Sequence, residues 1–247
     1  MQLYLIRHAQ SENNALWART QSENGRSSDP LLTEIGQQQA NALAQFVAQS
    51  DENATTDKFD IYNRKGFPFT HLYCSLMQRA IQTATAIAEA KAMPLVSWEM
   101  IHEWGGIYEH DEIGGQHRGL EGPNRAFFTA NYPHVALPVE LDGKGWWNRP
   151  FETREECFTR AQRFIQALEE KHGDTDDKVA IVTHGGFFYS FMSALLGSWG
   201  ATIDFQGDKR IWMAVNNASI TRVDFNDTHI RVAYMNRIDF LPPNLIT

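Results

Sequence analysis

Arg7-His8 sets a fixed cation beside a titratable nitrogen, directly after the short apolar run Leu3-Tyr4-Leu5-Ile6 and before Ala9-Gln10-Ser11-Glu12. Chemistry at a phosphoryl group uses both residue types: a guanidinium neutralises phosphate oxygens through forked hydrogen bonds, and a neutral imidazole attacks phosphorus. Reactive residues recur at three other places. Arg79 stands five residues past Cys74, Glu103 follows Leu95-Val96-Ser97-Trp98, and Thr183-His184-Gly185 follows Val179-Ala180-Ile181-Val182.

Phosphoryl transfer assigns these residues roles. Arg7, Arg79 and His184 supply donors for the equatorial oxygens of the transition state, and a backbone N–H at Gly185 adds another, because glycine lets the chain approach closely. The neighbouring arginines lower the pKa of a histidine and hold it neutral, as a nucleophile requires. Glu103 is the candidate general acid for the leaving alkoxide, and a bound phosphate dianion beside it favours its protonated form.

These residues must be positioned by alternating strands and helices. Residues 3–6, 71–74, 95–98 and 179–182 read as strands, the last as a buried central one. Residues 211–215, 220–225 and 230–235 read as later strands, with a turn at Asn226-Asp227-Thr228. Leu32, Ile35, Leu43, Phe46 and Val47 fall on one helical face. Further helices open near Gln78, carry Phe158, Ala161, Phe164, Ile165 and Leu168, and run from Gly185-Gly186 to Leu196. Residues 19–30 read as loop and 50–66 as a surface insertion. The pattern predicts an α/β fold, a three-layer α/β/α domain spanning residues 1–247 with a mostly parallel central sheet. Residues 105–149 lack a period and read as a lid inserted over the site. In an open parallel sheet the carboxyl ends of the strands share one edge, where ligands bind. That edge gathers two arginines, two histidines and the glutamate.

The chain has 247 residues, 43% of them hydrophobic, and a net charge of −8. The negative field excludes nucleic acid and acidic membrane surfaces as natural partners, so a phosphate site must be basic locally. No apolar run of about 18 residues marks a membrane span. A strand beginning by residue 3 leaves no room for a signal peptide. Cys74 and Cys157 do not make a disulfide framework, which points to a reduced, cytoplasmic setting. The last strands offer an edge for a homodimer.

The motifs resemble those of the histidine phosphatase superfamily, also called phosphoglycerate mutase-like. Arg7-His8-Ala9-Gln10-Ser11-Glu12 resembles its Arg-His-Gly signature, and Asp29-Pro30-Leu31-Leu32-Thr33-Glu34-Ile35-Gly36 its Pro-Leu-Thr-x-x-Gly segment. Ser75-Leu76-Met77-Gln78-Arg79-Ala80-Ile81-Gln82-Thr83-Ala84 resembles its Ser-x-x-x-Arg-Ala-x-Gln-Thr-Ala helix start. Thr183-His184-Gly185 resembles the second histidine motif and Asn217-Ala218-Ser219-Ile220 a late strand. The matches keep the family's order over nearly the whole chain. The resemblance implies that His8 is transiently phosphorylated, that Arg7, Asn14, Arg79 and His184 hold the phosphate, that Glu103 donates the proton, and that no metal or other cofactor takes part. Asn14 otherwise reads as an ordinary helix-start residue. Three departures stand out. Ala9 replaces the glycine, which matters only if the backbone there has positive φ or approaches phosphate closely. The loop from Asn14 to Asp29 lacks the family's Thr-Gly element. The segment around Glu103 is the least similar.

Phosphatase and mutase would share the phosphohistidine step. The family's glycolytic mutases carry Glu-Arg-His-Tyr-Gly and an Arg-Arg pair in the insertion. Here the stretch is Glu103-Trp104-Gly105-Gly106-Ile107, no two arginines are adjacent, and Arg118, Arg125, Lys144 and Arg149 are scattered singly. Hydrolysis of a small phosphomonoester, a phosphorylated metabolite, is therefore the favoured reading. Mutase-type transfer is the alternative, and a phosphate-binding regulatory module a third. The lid residues Trp104, Tyr108, Phe127, Phe128, Tyr132, Trp146 and Trp147 read as packing for the lid. His102, His110, Asp111, Glu112 and His117 are zinc-ligand types, but their spacing matches no compact metal motif, and no metal site is expected.

Overall fold

A computed structural model describes residues 1–49, 60–111, 115–197 and 212–247. Its centre is a seven-stranded sheet in the order β6-β3-β2-β7-β1-β8-β9. Strands β1 (Gln2–Arg7), β2 (His71–Cys74), β3 (Leu95–Ser97), β6 (Val135–Ala136) and β7 (Lys178–Thr183) run parallel. Strand β8 (Ile220–Phe225) is antiparallel to β1, and β9 (Ile230–Arg237) returns along β8. A separate ribbon pairs β4 (Tyr108–His110) with β5 (His117–Gly119).

The alternation within β1 divides the core. Tyr4 and Ile6 face a cluster built with α2 (Glu34–Ala48) and α3 (Gln78–Lys91), while Leu3 and Leu5 face one built with α5 (Arg154–His172) and α6 (Gly185–Leu195). This gives the three layers expected from the sequence. Helix starts follow the polar caps. The Thr33 side chain accepts from Gly36 N in α2, and Thr153 with Glu156 forms a capping box for α5.

Several expectations are corrected. Helix α1 (Glu12–Thr20) begins at the Ser11 cap, so the loop proper starts after Thr20. Leu32 lies ahead of α2, bridged to Ser11, and Ile35 is exposed. Residues 212–215 are irregular, and residue 211 lies outside the described residues. The backbone at the end of this stretch serves side chains instead of a ladder: Val215 O accepts from Arg7 Nη1, and the N–H of the next residue, Asn216, donates to Asn236 Oδ1. Residues 50–59 also lie outside the described residues. The end of that segment is not purely surface, since buried Asn63 donates to Tyr4 Oη and accepts from Tyr234 Oη.

The segment expected as a lid is largely part of the domain body. It supplies edge strand β6 and the seven-residue helix α4 (Arg125–Asn131), and it buries Phe128, Trp146 and Trp147 in the α2–α3 cluster. Its elements are two to seven residues long, too short to show a period. Among the described residues, no helix is long and apolar enough to cross a membrane.

Candidate active site

The sheet register brings the reactive strand ends level. Arg7 pairs with Thr183, and Cys74 lies between Val182 and Ser97. Each strand therefore releases its chain at the same edge. His8 follows β1, Arg79 occupies the second position of α3, Glu103 follows a short 3-10 turn at Glu99–Ile101, and His184 stands at the N-cap position of α6.

His8 is buried, and its tautomer is set by its neighbours. Nδ1 lies 2.7 Å from Ala9 O, and since a carbonyl only accepts, Nδ1 carries the proton. Nε2 is thus the lone-pair nitrogen, accepting from Arg79 Nε at 3.2 Å. Burial, then Arg79, then Arg7 hold the imidazole pKa well below its ordinary value, so the ring is neutral. Ala9 is not among the residues with positive φ. Its N–H donates to Thr83 Oγ1 and its methyl lies in the core, so the alanine is accommodated without strain. The close backbone approach is made by Gly36, where a Cβ would lie 2.0 Å from Gln10 O.

Arg79 is a buried cation at a helix N-terminus, an unfavourable place for one. Its compensation is Asp29, buried with Oδ1 3.8 Å from Arg79 Nη1 and accepting from Gln78 N. Burial pushes the Asp29 carboxyl up to about 6 against the pull of Arg79, and its Oδ2 has no hydrogen-bond partner. Arg7 donates to Val215 O at 2.5 Å, while its buried Nε is unpartnered.

Glu103 is fixed by backbone. Oε1 accepts from Trp104 N at 2.9 Å and Phe187 N at 3.0 Å, and Oε2 accepts from Gly186 N at 3.2 Å. The glutamate thereby caps α6, whose own N-cap His184 makes no side-chain cap. A Cβ on Gly186 would lie 2.1 Å from Trp104 Cδ1 and 2.5 Å from Glu103 Oε1, so only glycine admits this contact. On Gly185 a Cβ would reach 3.4 Å from Arg7 Nε, an ordinary contact. The donor expected at Gly185 has a counterpart one residue on, aimed at Glu103. Buried His102 donates from Nδ1 to Glu103 O at 2.7 Å and holds the segment.

Arg7, His8, Asn14, Arg79 and Glu103 line one cavity of about 180 Å³. Asn14 is both readings at once. It closes the capping box of α1, its Oδ1 accepting from Ser11 N, Ser11 Oγ and Asn217 Nδ2, which leaves the amide NH2 as the end able to donate. His184 and Gly185 do not line the cavity. The His184 ring packs 5.0 Å from that of His8, with both nitrogens buried and unpartnered and its pKa driven down by burial, Arg79 and His8.

Sequence reasoning missed Trp17, Glu23 and Arg26, which line the same cavity, and gave no role to Asp29, Asn217 or His102. Arg26 lies over the Tyr108 ring at 3.7 Å and donates to Tyr108 O. The position of Asp29 before Pro30 and of His102 beside Glu103 were the available signals. Asn217 donates to His8 O at 3.0 Å, so the late motif also holds the histidine.

The arrangement offers a neutral imidazole lone pair ringed by cations, with a carboxyl group in the same cavity. The chain is similar to known proteins over most of its length. A relative from Hydrogenobacter thermophilus named "Putative phosphoserine phosphatase 2" is 27% identical over 238 residues, covering 96% of this chain and 95% of the relative. The adenosylcobalamin/alpha-ribazole phosphatase of Salmonella typhimurium is 25% identical over 218 residues, 87% of this chain and 90% of that protein. The crystal structure of phosphoserine phosphatase from Entamoeba histolytica with 3-phosphoglyceric acid superposes with a TM-score of 0.58 at 20% identity, covering 98% and 99% of the two chains, which shows the shared fold. The profile of the histidine phosphatase superfamily (branch 1) matches residues 3–56 and 62–238, and the chain belongs to that family.

Proposed function

We propose that this chain is a phosphatase that hydrolyses a small phosphomonoester in two steps through His8. In the first, the Nε2 lone pair attacks phosphorus, the bond to the ester oxygen breaks, and Glu103 gives its proton to the departing alkoxide. In the second, water attacks the phosphohistidine, Glu103 takes a proton from it, the P–N bond breaks and inorganic phosphate leaves. Arg7, Arg79 and Asn14, which line the cavity, hold the phosphoryl oxygens, and His184, packed against His8 beside the cavity, donates to them as the phosphate enters, with the α6 N-terminus at Gly185 next to it.

The observation that carries this reading is the locked tautomer of His8. Ala9 O fixes the proton on Nδ1, and Nε2 looks into a cationic cavity. The one N–H of the neutral His184 ring and the unpartnered Arg7 Nε support it, because buried donors without partners are costly and phosphate oxygens would accept from them. Two relatives bear the names of phosphatases.

Hydrolysis is favoured over mutase-type transfer by the scattered arginines, which are engaged elsewhere. Arg118 pairs with Glu109 at 2.5 Å, Arg149 pairs with Glu99 at 2.9 Å, and Arg125 Nε donates to Leu141 O. The further arginine lining the cavity, Arg26, donates to Tyr108 O. Trp17, Arg26 and Tyr108 shape the side that would meet the leaving group. The free buried thiols Cys74 and Cys157 support a cytoplasmic setting.

The test is rapid quenching with labelled phosphomonoesters from a panel of phosphorylated metabolites. The expected result is an acid-labile, alkali-stable label on the protein, lost together with phosphate release in His8→Ala. Phosphate release that survives in His8→Ala overturns the reading. Transfer to an added phosphoglycerate that far exceeds release to water replaces it with the mutase.

A further inference from the structure

We propose that Glu23, His110 and His117 form a binding site for a divalent transition-metal ion of the Zn²⁺ type, at the rim of the cavity and outside the phosphoryl-transfer chemistry. The ribbon register places His110 directly opposite His117, so both side chains stand on one face, ring centroids 5.0 Å apart. The chain after α1 brings Glu23 onto that face from 94 residues away. Its Oε2 lies 3.1 Å from His117 Nε2 and 4.0 Å from His110 Nδ1, and the three donor atoms all lie within 4.8 Å of one another.

Zinc bonds to imidazole nitrogen and carboxylate oxygen are about 2.0–2.2 Å long, so tetrahedral donors sit roughly 3.3 Å apart. The Glu23–His117 pair already has that spacing. His110, on a short surface ribbon, needs only a small side-chain shift to complete it. Two imidazoles and one carboxylate suit Zn²⁺, Co²⁺ or Ni²⁺ over the all-oxygen shells of Mg²⁺ and Ca²⁺, and leave a position for water.

An ordinary ion pair does not account for the cluster. Glu23 with His117 satisfies one imidazole, but His110 Nδ1 is shielded from solvent and has no hydrogen-bond partner. The His117 ring is held in place by stacking on Phe151 at 4.4 Å and by the edge of Tyr108 at 4.9 Å. The other His and acid cluster differs on this point. His172 Nδ1 is 2.8 Å from Asp177 Oδ2 and its Nε2 is 3.2 Å from Tyr73 Oη, so both nitrogens are engaged. Glu23 and Tyr108 line the catalytic cavity, so an ion here ties the loop after α1 to the ribbon and fixes one wall of it.

The experiment is metal titration of the chelator-stripped full chain with Zn²⁺, read by calorimetry and by elemental analysis after dialysis, with Co²⁺ absorption reporting the ligand set. One equivalent per chain is expected, with the Co²⁺ spectrum of a four- or five-coordinate nitrogen–oxygen site. Affinity should fall by more than an order of magnitude in His110→Gln and in His117→Gln, and His71→Gln should leave it unchanged. Glu23→Gln provides a third variant should either histidine change disturb the ribbon. Binding of less than one equivalent by the parent chain, or binding that persists in His110→Gln/His117→Gln, overturns the proposal. Neither outcome bears on His8, so the phosphatase reading stands or falls separately.

Discussion

Arg79 Nε donates to His8 Nε2 at 3.2 Å, occupying the same nitrogen whose lone pair would attack phosphorus. Arg79 thereby caps His8 Nε2 and lowers the pKa of the ring. With substrate it would transfer its donors to the phosphate oxygens. Arg79→Ala should therefore lower kcat/KM by about 10²–10³, the usual loss for one preorganised donor to transition-state charge. Arg79 also lowers the His8 pKa, so its removal raises that pKa and moves the acid limb of the pH–rate profile to higher pH. A profile that keeps its acid limb in place would contradict the electrostatic role.

In the proposed reaction the carboxyl of Glu103 acts on the leaving group, so its contribution depends on how much that group needs a proton. Glu103→Gln should slow hydrolysis of an alkyl phosphomonoester by about 10²–10⁴. It should slow p-nitrophenyl phosphate far less in the phosphorylation step. Equal losses on both substrates, measured by burst kinetics, would remove Glu103 from the role of general acid.

The two glycines opening α6 should behave differently. A methyl on Gly186 meets Glu103 Oε1 and Trp104 at distances no real Cβ tolerates, whereas one on Gly185 makes ordinary contact with Arg7. Gly186→Ala should lose about 1–3 kcal/mol of stability through overpacking, and kcat should drop as Glu103 is displaced. Gly185→Ala should keep near-parental stability. Denaturant melts and kcat on the pair decide the matter, and equal effects would refute the assigned geometry.

Asp29 couples stability to pH. Its folded-state pKa of about 6 lies above the ordinary carboxylate value, so the folded state binds this proton more tightly than the unfolded one. That stabilisation is complete at low pH and is lost as pH rises through the window from about 4 to about 6, amounting to about 3 kcal/mol. Asp29→Asn keeps an acceptor for Gln78 N but cannot ionise. The stability difference, variant minus parent, should therefore grow by about that amount between pH 4 and pH 7. A difference that does not change with pH would sink the prediction.

What the sequence determined by itself is local. Apolar alternation in β1 and the β-branched run in β7 announced strands, the helical faces of α3 and α5 announced helices, and the residues at the strand ends named Arg7, His8, Arg79, Glu103 and His184. These signals are legible because they reside in adjacent residues or in one helical repeat. Short aperiodic elements such as β6 and the ribbon carried no such signal, which is why residues 105–149 read as a lid and the irregular 212–215 as strand. Only the tertiary structure decided the tautomer of His8, the capping of α6 by Glu103 through Gly186 and Phe187, the burial of Asp29 against Arg79, and the meeting of Glu23 with His110 and His117. Each of these depends on where a hydrogen-bond partner from another element comes to rest once the layers have packed. Residue type says what such a group can bond, and the packed chain alone says what it does bond.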